Sequence, residues 1–390
     1  MRHLRQLDGM RGIAALIVFG WHSLTMTRTV PYLLSVTRMT PLGLLFSGTS
    51  AVDFFFVLSG FVLNLAYAQA QEYRPGWWAE FIVKRVFRIY PAYIAAILLA
   101  VMLKLGGAGE HSAYSRIMLR DWYGAYWNEP FTVVQAAKTL AMAISVPDAR
   151  IFDAPAWSLL IEMRISVIFP LVILVVNRKR SLTADLLLLA ATYVACFQIA
   201  SICRITTVFQ LPQFVGGALL AKRWSEIAVA MLRMPRREWD TWKASLLLGS
   251  TILCCLGAMV IAADEGAGHF QIDLLQDYCG EQLVAIGSAG LIVLSMYSVV
   301  AKRILSSAVL GFMGRTSYSF YLVHLLVLLA VVRIWISVAG HAPMVPVAIV
   351  ALIGSYILAN LMSRFVEMPC NEFGRTVAGK VSSAPAAGPS

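Results

Sequence analysis

Six ionisable residues stand inside or at the edge of long apolar runs: Arg11, His22, Asp53, Glu162, Arg164 and His324. Charge in apolar surroundings is expensive, so each is a candidate for function by default. Arg11 and His22 share the run LDGMRGIAALIVFGWHSL. On a helix, eleven steps of about 100° bring the two within roughly 20° of one line, some 16 Å apart along the axis. An imidazole so placed can act as a general base near neutral pH. The plainer reading makes His22 a packing residue and Arg11 a topological anchor. Asp53, in SAVDFFFVLSGFVL, is a carboxylate expected at a depth similar to His22. It either orients the imidazole, in the manner of a catalytic triad, or forms a buried ion pair. Arg85 and Arg88 lie one turn apart in FIVKRVFRIYPAY. Two guanidinium groups on one face suit phosphate, although basic residues before an apolar run are also routine. Glu162 and Arg164, in PAWSLLIEMRISVIFP, are two residues apart, cannot face each other, and each needs a partner on another helix. Tyr321 and His324 share a face in RTSYSFYLVHLLV.

The elements that must hold these residues are membrane helices. Hydrophobic residues make up 59% of the 390 and charged ones 14%, against roughly half and a quarter in soluble proteins. One soluble core cannot hide that much apolar surface. Few prolines and many helix formers favour an all-α bundle over a barrel. Runs long enough to span predict about ten crossings, over 12–29, 42–68, 89–108, 157–176, 182–202, 205–221, 244–263, 282–301, 317–338 and 344–362. An amphipathic or short membrane-touching segment is expected at 131–146. The net charge of +11 could suggest nucleic acid. However, the basic residues cluster in short gaps on one side of the threaded spans, which is the positive-inside pattern and places both termini in the cytoplasm. The membrane region is expected over residues 1–370, with a disordered cytoplasmic tail from 371 to 390. The six cysteines form no framework, and neither they nor the histidines show metal-ligand spacing. The longest non-cytoplasmic stretch, 109–156, carries Trp122, Tyr123, Tyr126 and Trp127. These form either an interfacial aromatic belt or a platform on which sugar rings stack.

Six strings, in order along the chain, resemble the motifs of the acyltransferase 3 family of membrane proteins. LDGMRGIAALIVFGWHS resembles its opening, an Arg, ten residues, then a His. VDFFFVLSGF is similar to its second motif, KRVFRIYPAY to its Arg-x-x-Arg-(Ile/Leu)-x-Pro segment, and WSLLIE to its Trp-Ser-Leu-x-x-Glu. SYSFYLVH and VEMP are similar to its late Ser-Tyr-x-x-Tyr-Leu-x-His and Glu-x-Pro motifs. They run from Leu7 to Pro369. One departure follows Glu162, where many members continue Phe-Tyr-Leu and this chain has Met-Arg-Ile. The chain resembles the stand-alone form, without an added C-terminal hydrolase-like domain.

The resemblance implies a multi-pass enzyme of the bacterial inner membrane. Such an enzyme moves an acyl group, usually acetyl, from cytoplasmic acyl-CoA to a hydroxyl of a glycan or sugar-bearing acceptor across the membrane. Acetyl-CoA is then a co-substrate rather than a bound cofactor, no metal is required, and the partners are membrane lipid, donor and acceptor. On this reading His22, Asp53 and Glu162 are catalytic. Arg11, Arg85, Arg88, Tyr321 and His324 serve the donor, and Trp157, Arg164, Trp122 and Trp127 serve the acceptor. Glu162 is expected nearer the outer face and the arginines at the cytoplasmic mouth. A transporter or flippase, using the buried charges as a translocation path, is the alternative from another class. It is disfavoured because the chain has no internal repeat.

Overall fold

In the computed structural model, the described residues are 4–28, 40–68, 73–107, 112–142, 151–203, 206–263 and 270–383. Among them the chain is helical, with no strand; Thr27 and Leu119 make an isolated antiparallel bridge. The helices are α1 (Arg5–Thr25), α2 (Gly48–Leu65), α3 (Trp77–Gly107), α4 (Ala113–Met118), α5 (Asp121–Asn128), α6 (Val133–Leu140), α7 (Ala156–Val176) and α8 (Leu182–Cys203). They continue as α9 (Leu211–Lys222), α10 (Trp224–Arg233), α11 (Arg236–Ala263), α12 (Phe270–Tyr297), α13 (Val299–Leu305), α14 (Ala308–Ala339), α15 (Met344–Met362) and α16 (Met368–Ser383), the last two joined by a π-turn over Ser363–Glu367.

Eight of the described helical stretches are long and apolar enough to cross a membrane. They are α2, α3, α7, α8, most of α11 and α12, α14, and the run from α15 into α16. The two other expected spans correspond to α1, diluted by Asp8, Arg11 and His22, and to α9. The latter has only 12 residues, about 18 Å of rise against a hydrocarbon core of about 30 Å. Of the amphipathic or membrane-touching segment expected at 131–146, residues 143–146 lie outside the described residues and Val133–Leu140 form α6. Its capping box joins Thr132 and Gln135, which satisfies N-terminal donors reciprocally.

Two further boundaries differ from the sequence pattern. α1 runs over Arg5–Thr25 rather than 12–29, so His22 stands in its last turn and not mid-span. The tail expected to be disordered from residue 371 is helical through Ser383. The reason is packing: Phe373 meets the Phe87 ring edge-on at 5.4 Å, and a Cβ on Gly374 would stand 2.3 Å from that of Phe87. Pro91 breaks the α3 backbone ladder at Phe87, one turn from this contact. Residues 384–390 lie outside the described residues.

The chain divides into two compact units. The first comprises 1–18, 34–71 and 168–315; the second comprises 19–33, 72–167 and 316–390. In the first unit α2 and α9 approach at backbone contact, since a Cβ on Gly60 would lie 2.1 Å from the Phe214 carbonyl oxygen and one on Gly217 2.0 Å from that of Val57. Small residues permit that approach, which suits association in lipid. Asn64 bridges the pair, donating to the Ala218 carbonyl at 2.8 Å. Asp185 of α8 accepts from Lys222 and Arg223 at the end of α9.

In the second unit, described residues between α3 and α7 are tied by hydrogen bonds to the helices around them. Tyr90 and Tyr93 of α3 donate to the carbonyls of Leu140 and Thr139, at 2.7 and 2.8 Å. Tyr114 donates to the Ala342 carbonyl at 2.7 Å. Backbone bonds from Arg28 to Met118 and from Arg120 to Met26 tie the exit of α1 to the start of α5.

Candidate active site

His22 and His324 meet in the second unit. His324 Nδ1 is 2.8 Å from the Tyr321 carbonyl oxygen and 3.2 Å from that of Phe320. Carbonyl oxygens only accept, so Nδ1 carries the proton and neutral His324 keeps its lone pair on Nε2. That Nε2 lies 3.2 Å from His22 Nδ1. His22 Nδ1–H therefore donates to it, and the His22 lone pair resides on Nε2. His324 is fully buried and stacks on Phe320, with ring centroids 5.7 Å apart. A ring so clamped sets the tautomer of its neighbour, a role other imidazoles receive from a carboxylate.

His22 lines a cavity of about 530 Å³ together with Trp21, Thr25, Arg120, Trp122, Tyr126 and Glu129, a volume ordinary for a small-molecule site. Trp122, one of the expected acceptor residues, is in this wall. Trp127 is not: it is 3% exposed, with the Arg333 guanidinium 4.8 Å above its ring. Trp157 and Arg164 are half-buried on α7, outside the wall. Asp153, in the turn before α7, is buried, and among the described residues both its carboxyl oxygens lack a hydrogen-bond partner. Burial pushes its carboxyl well above the usual range.

The paired arginines of α3 are each engaged by a carboxylate. Arg85 forms an ion pair with Glu162, and its Nε donates to Ser166 Oγ at 3.1 Å. Arg88 forms an ion pair with Glu367 and lies 5.1 Å from the centre of the Tyr318 ring. Ser319 Oγ donates to the second Glu367 oxygen at 2.6 Å. The partner that Glu162 needs on another helix is thus Arg85. This corrects the expected layering: an ion pair shares one depth, so Glu162 and Arg85 cannot lie at opposite sides of the membrane. α3 starts at Trp77, well before the expected residue 89, and this carries Arg85 inside the helix. Tyr321 is 2.7 Å from Ser158 Oγ and donates to the Pro155 carbonyl.

The remaining expected site residues, Arg11 and Asp53, belong to the first unit. Arg11 bonds Asp8 at 3.0 Å, one turn away. Asp53 is 1% exposed and accepts from Gln213 Nε2 of α9 at 3.0 Å. Nearby wall residues of α1, Met10, Ile13 and Ile17, help line an apolar cavity of about 350 Å³. Among the described residues no group of three or more His, Cys, Asp or Glu is placed to hold a metal.

Residues 4–362 match the acyltransferase 3 family, described as an acyltransferase domain. The chain belongs to that family. It is a multi-pass membrane acyltransferase. Acyltransferase 3 motifs that are far apart in sequence join here by side-chain contact. The Arg-x-x-Arg segment binds both Trp-Ser-Leu-x-x-Glu and Glu-x-Pro, and the late Tyr-x-x-His motif meets the opening His. Among curated proteins, the chain is 23% identical over 366 residues to the O-acetyltransferase PaAT-1 of Phomopsis amygdali, covering 82% of this chain and 71% of that protein. No solved structure matches. Arg120, Glu129 and Gln213 were not distinguishable in sequence. The terminal Glu-x-Pro string did flag Glu367, without indicating its guanidinium partner.

Proposed function

We propose that the protein is an O-acetyltransferase that moves an acetyl group from cytoplasmic acetyl-CoA to a hydroxyl of a glycan or sugar-bearing acceptor, with His22 as general base. A bacterial inner membrane is the setting this reading assumes. The observation that carries it is the hydrogen-bond chain Tyr321 carbonyl, His324, His22, which leaves a lone pair on His22 Nε2 at the wall of a cavity. The acceptor hydroxyl gives its proton to Nε2 as its oxygen attacks the thioester carbonyl. The carbon–sulfur bond then breaks, and the departing thiolate takes that proton from the imidazolium. The products are an ester and free CoA. His324 accepts from the Nδ1–H of the imidazolium throughout. A variant in which Nε2 itself is first acetylated uses the same lone pair.

Trp122 offers the acceptor a flat apolar face. For the donor phosphates the reading favours Arg88, whose side chain is 40% exposed despite its carboxylate partner. Arg85, at 13%, is committed to Glu162 and Ser166. The family match and the acetyltransferase relative support the transfer chemistry. The test is ester formation from acetyl-CoA by purified protein on the glycan fraction of its own host. A His22→Ala protein that melts like wild type but still acetylates at the normal rate would refute it.

A further inference from the structure

The wall of the cavity beside His22 carries Arg120 and Glu129, and further charges lie near it in sequence. Asp121 is neutralised by Arg28, which also donates to the Leu119 carbonyl. Glu129 interacts electrostatically with Lys104, a buried ammonium that bonds the Tyr126 carbonyl. Asp153 lies in sequence between two wall residues, Ile151 and Ala154, and among the described residues neither of its carboxyl oxygens has a hydrogen-bond partner. Arg120 remains. It is half-buried, caps α5 through its backbone only, and among the described residues its guanidinium has no hydrogen-bond or ion-pair partner. A partly desolvated guanidinium in a concave wall, beside two tryptophans and the base, is a fork awaiting a planar or tetrahedral anion.

The geometry points to an acceptor that carries an acidic group, a carboxylate or a phosphate, on the same molecule as the hydroxyl that is acylated, with Arg120 as its anchor. This rests on the reading of the His22 cavity as the acceptor side. Taken as a sphere, the cavity is about 10 Å across, so one sugar unit can present its acid to Arg120, a ring face to Trp122 and a hydroxyl to His22 Nε2. Uronic acids and sugar phosphates share this chemistry.

The test is a binding titration of the full-length protein in lipid nanodiscs. The probes are methyl β-D-glucuronopyranoside, glucose 6-phosphate and neutral methyl β-D-glucopyranoside. One of the two anionic probes should bind at least about ten-fold tighter than the neutral one, and which it is distinguishes carboxylate from phosphate. Arg120→Gln should bring all three within about two-fold, while Arg120→Lys keeps part of the preference. A wild-type protein without preference overturns the proposal, including the case in which no probe binds. So does a preference that survives in Arg120→Gln. The titration needs no acetyl transfer, so failure here is distinct from failure of the His22 reaction.

Discussion

Replacing His324 isolates the hydrogen-bond chain from the base itself. His324→Phe keeps a ring against Phe320 but removes the Nε2 that accepts from His22 Nδ1. His22 Nδ1–H then loses its partner, both tautomers become accessible, and the imidazolium formed during transfer is no longer stabilised. One hydrogen bond to a group that becomes charged is worth about 1.5–3 kcal/mol, so kcat should fall about 10- to 150-fold. KM for acetyl-CoA should change by less than about two-fold, because the lost interaction belongs to the transition state. His324→Gln, whose amide oxygen can accept from His22, should recover most of the rate. The assay is initial-rate ester formation by purified protein, with a thermal melt to show that each variant is folded. The double variant His22→Ala/His324→Phe should be no slower than His22→Ala alone, since the two act as one unit. A folded His324→Phe protein with wild-type kcat refutes the tautomer argument.

Arg88→Ala leaves Glu367, 3% exposed, without its guanidinium, and stripping one partner from a buried pair costs about 3–5 kcal/mol. Its melting temperature should fall sharply, whereas Arg88→Ala/Glu367→Gln should recover much of the loss. Gly60→Ala drives a methyl to 2.1 Å from the Phe214 carbonyl oxygen and should cost at least about 1–3 kcal/mol. Gly216→Ala, 3.8 Å from the Leu189 side chain, should melt like wild type. The raised pKa of Asp153 means that the folded state holds this proton more tightly than the unfolded chain. Its contribution to stability is complete below the unfolded value of about 4 and is lost as pH rises through the folded value. Asp153→Asn should therefore melt above wild type at pH 7.5 and show a flatter pH profile, as read by differential scanning fluorimetry.

Most of the helical architecture was legible in sequence because the spans are long and apolar and the basic gaps are short. α1 and α9 were harder, the first because Asp8, Arg11 and His22 dilute it, the second because a 12-residue helix reads as part of a longer run. The chemistry-bearing residues were legible as types and spacing. Their partners were not, because each pair is separated by far more sequence than any helical period reports. His22 and His324 are 302 residues apart, and Arg88 and Glu367 are 279. The sequence pattern therefore assigned Arg85 to the donor phosphates and Glu162 to catalysis nearer the outer face, whereas the two form one ion pair. The aromatic cluster likewise looked uniform, yet Trp122 lines the cavity and Trp127 is core.

The two arginine–carboxylate pairs of α3 also constrain how the family can vary. A lineage that loses Arg88 first carries a bare buried carboxylate, and one that loses Glu367 first carries a guanidinium facing a serine and a tyrosine ring. Neither intermediate is neutral, so a single change costs stability that an exchange of both partners avoids. Glu162 and Arg85 are bound by the same rule, and through the two pairs three separate stretches of chain become coupled in stability. Loss of activity on changing any one of these residues then reports first on folding, and only a variant shown to be folded can assign it to catalysis.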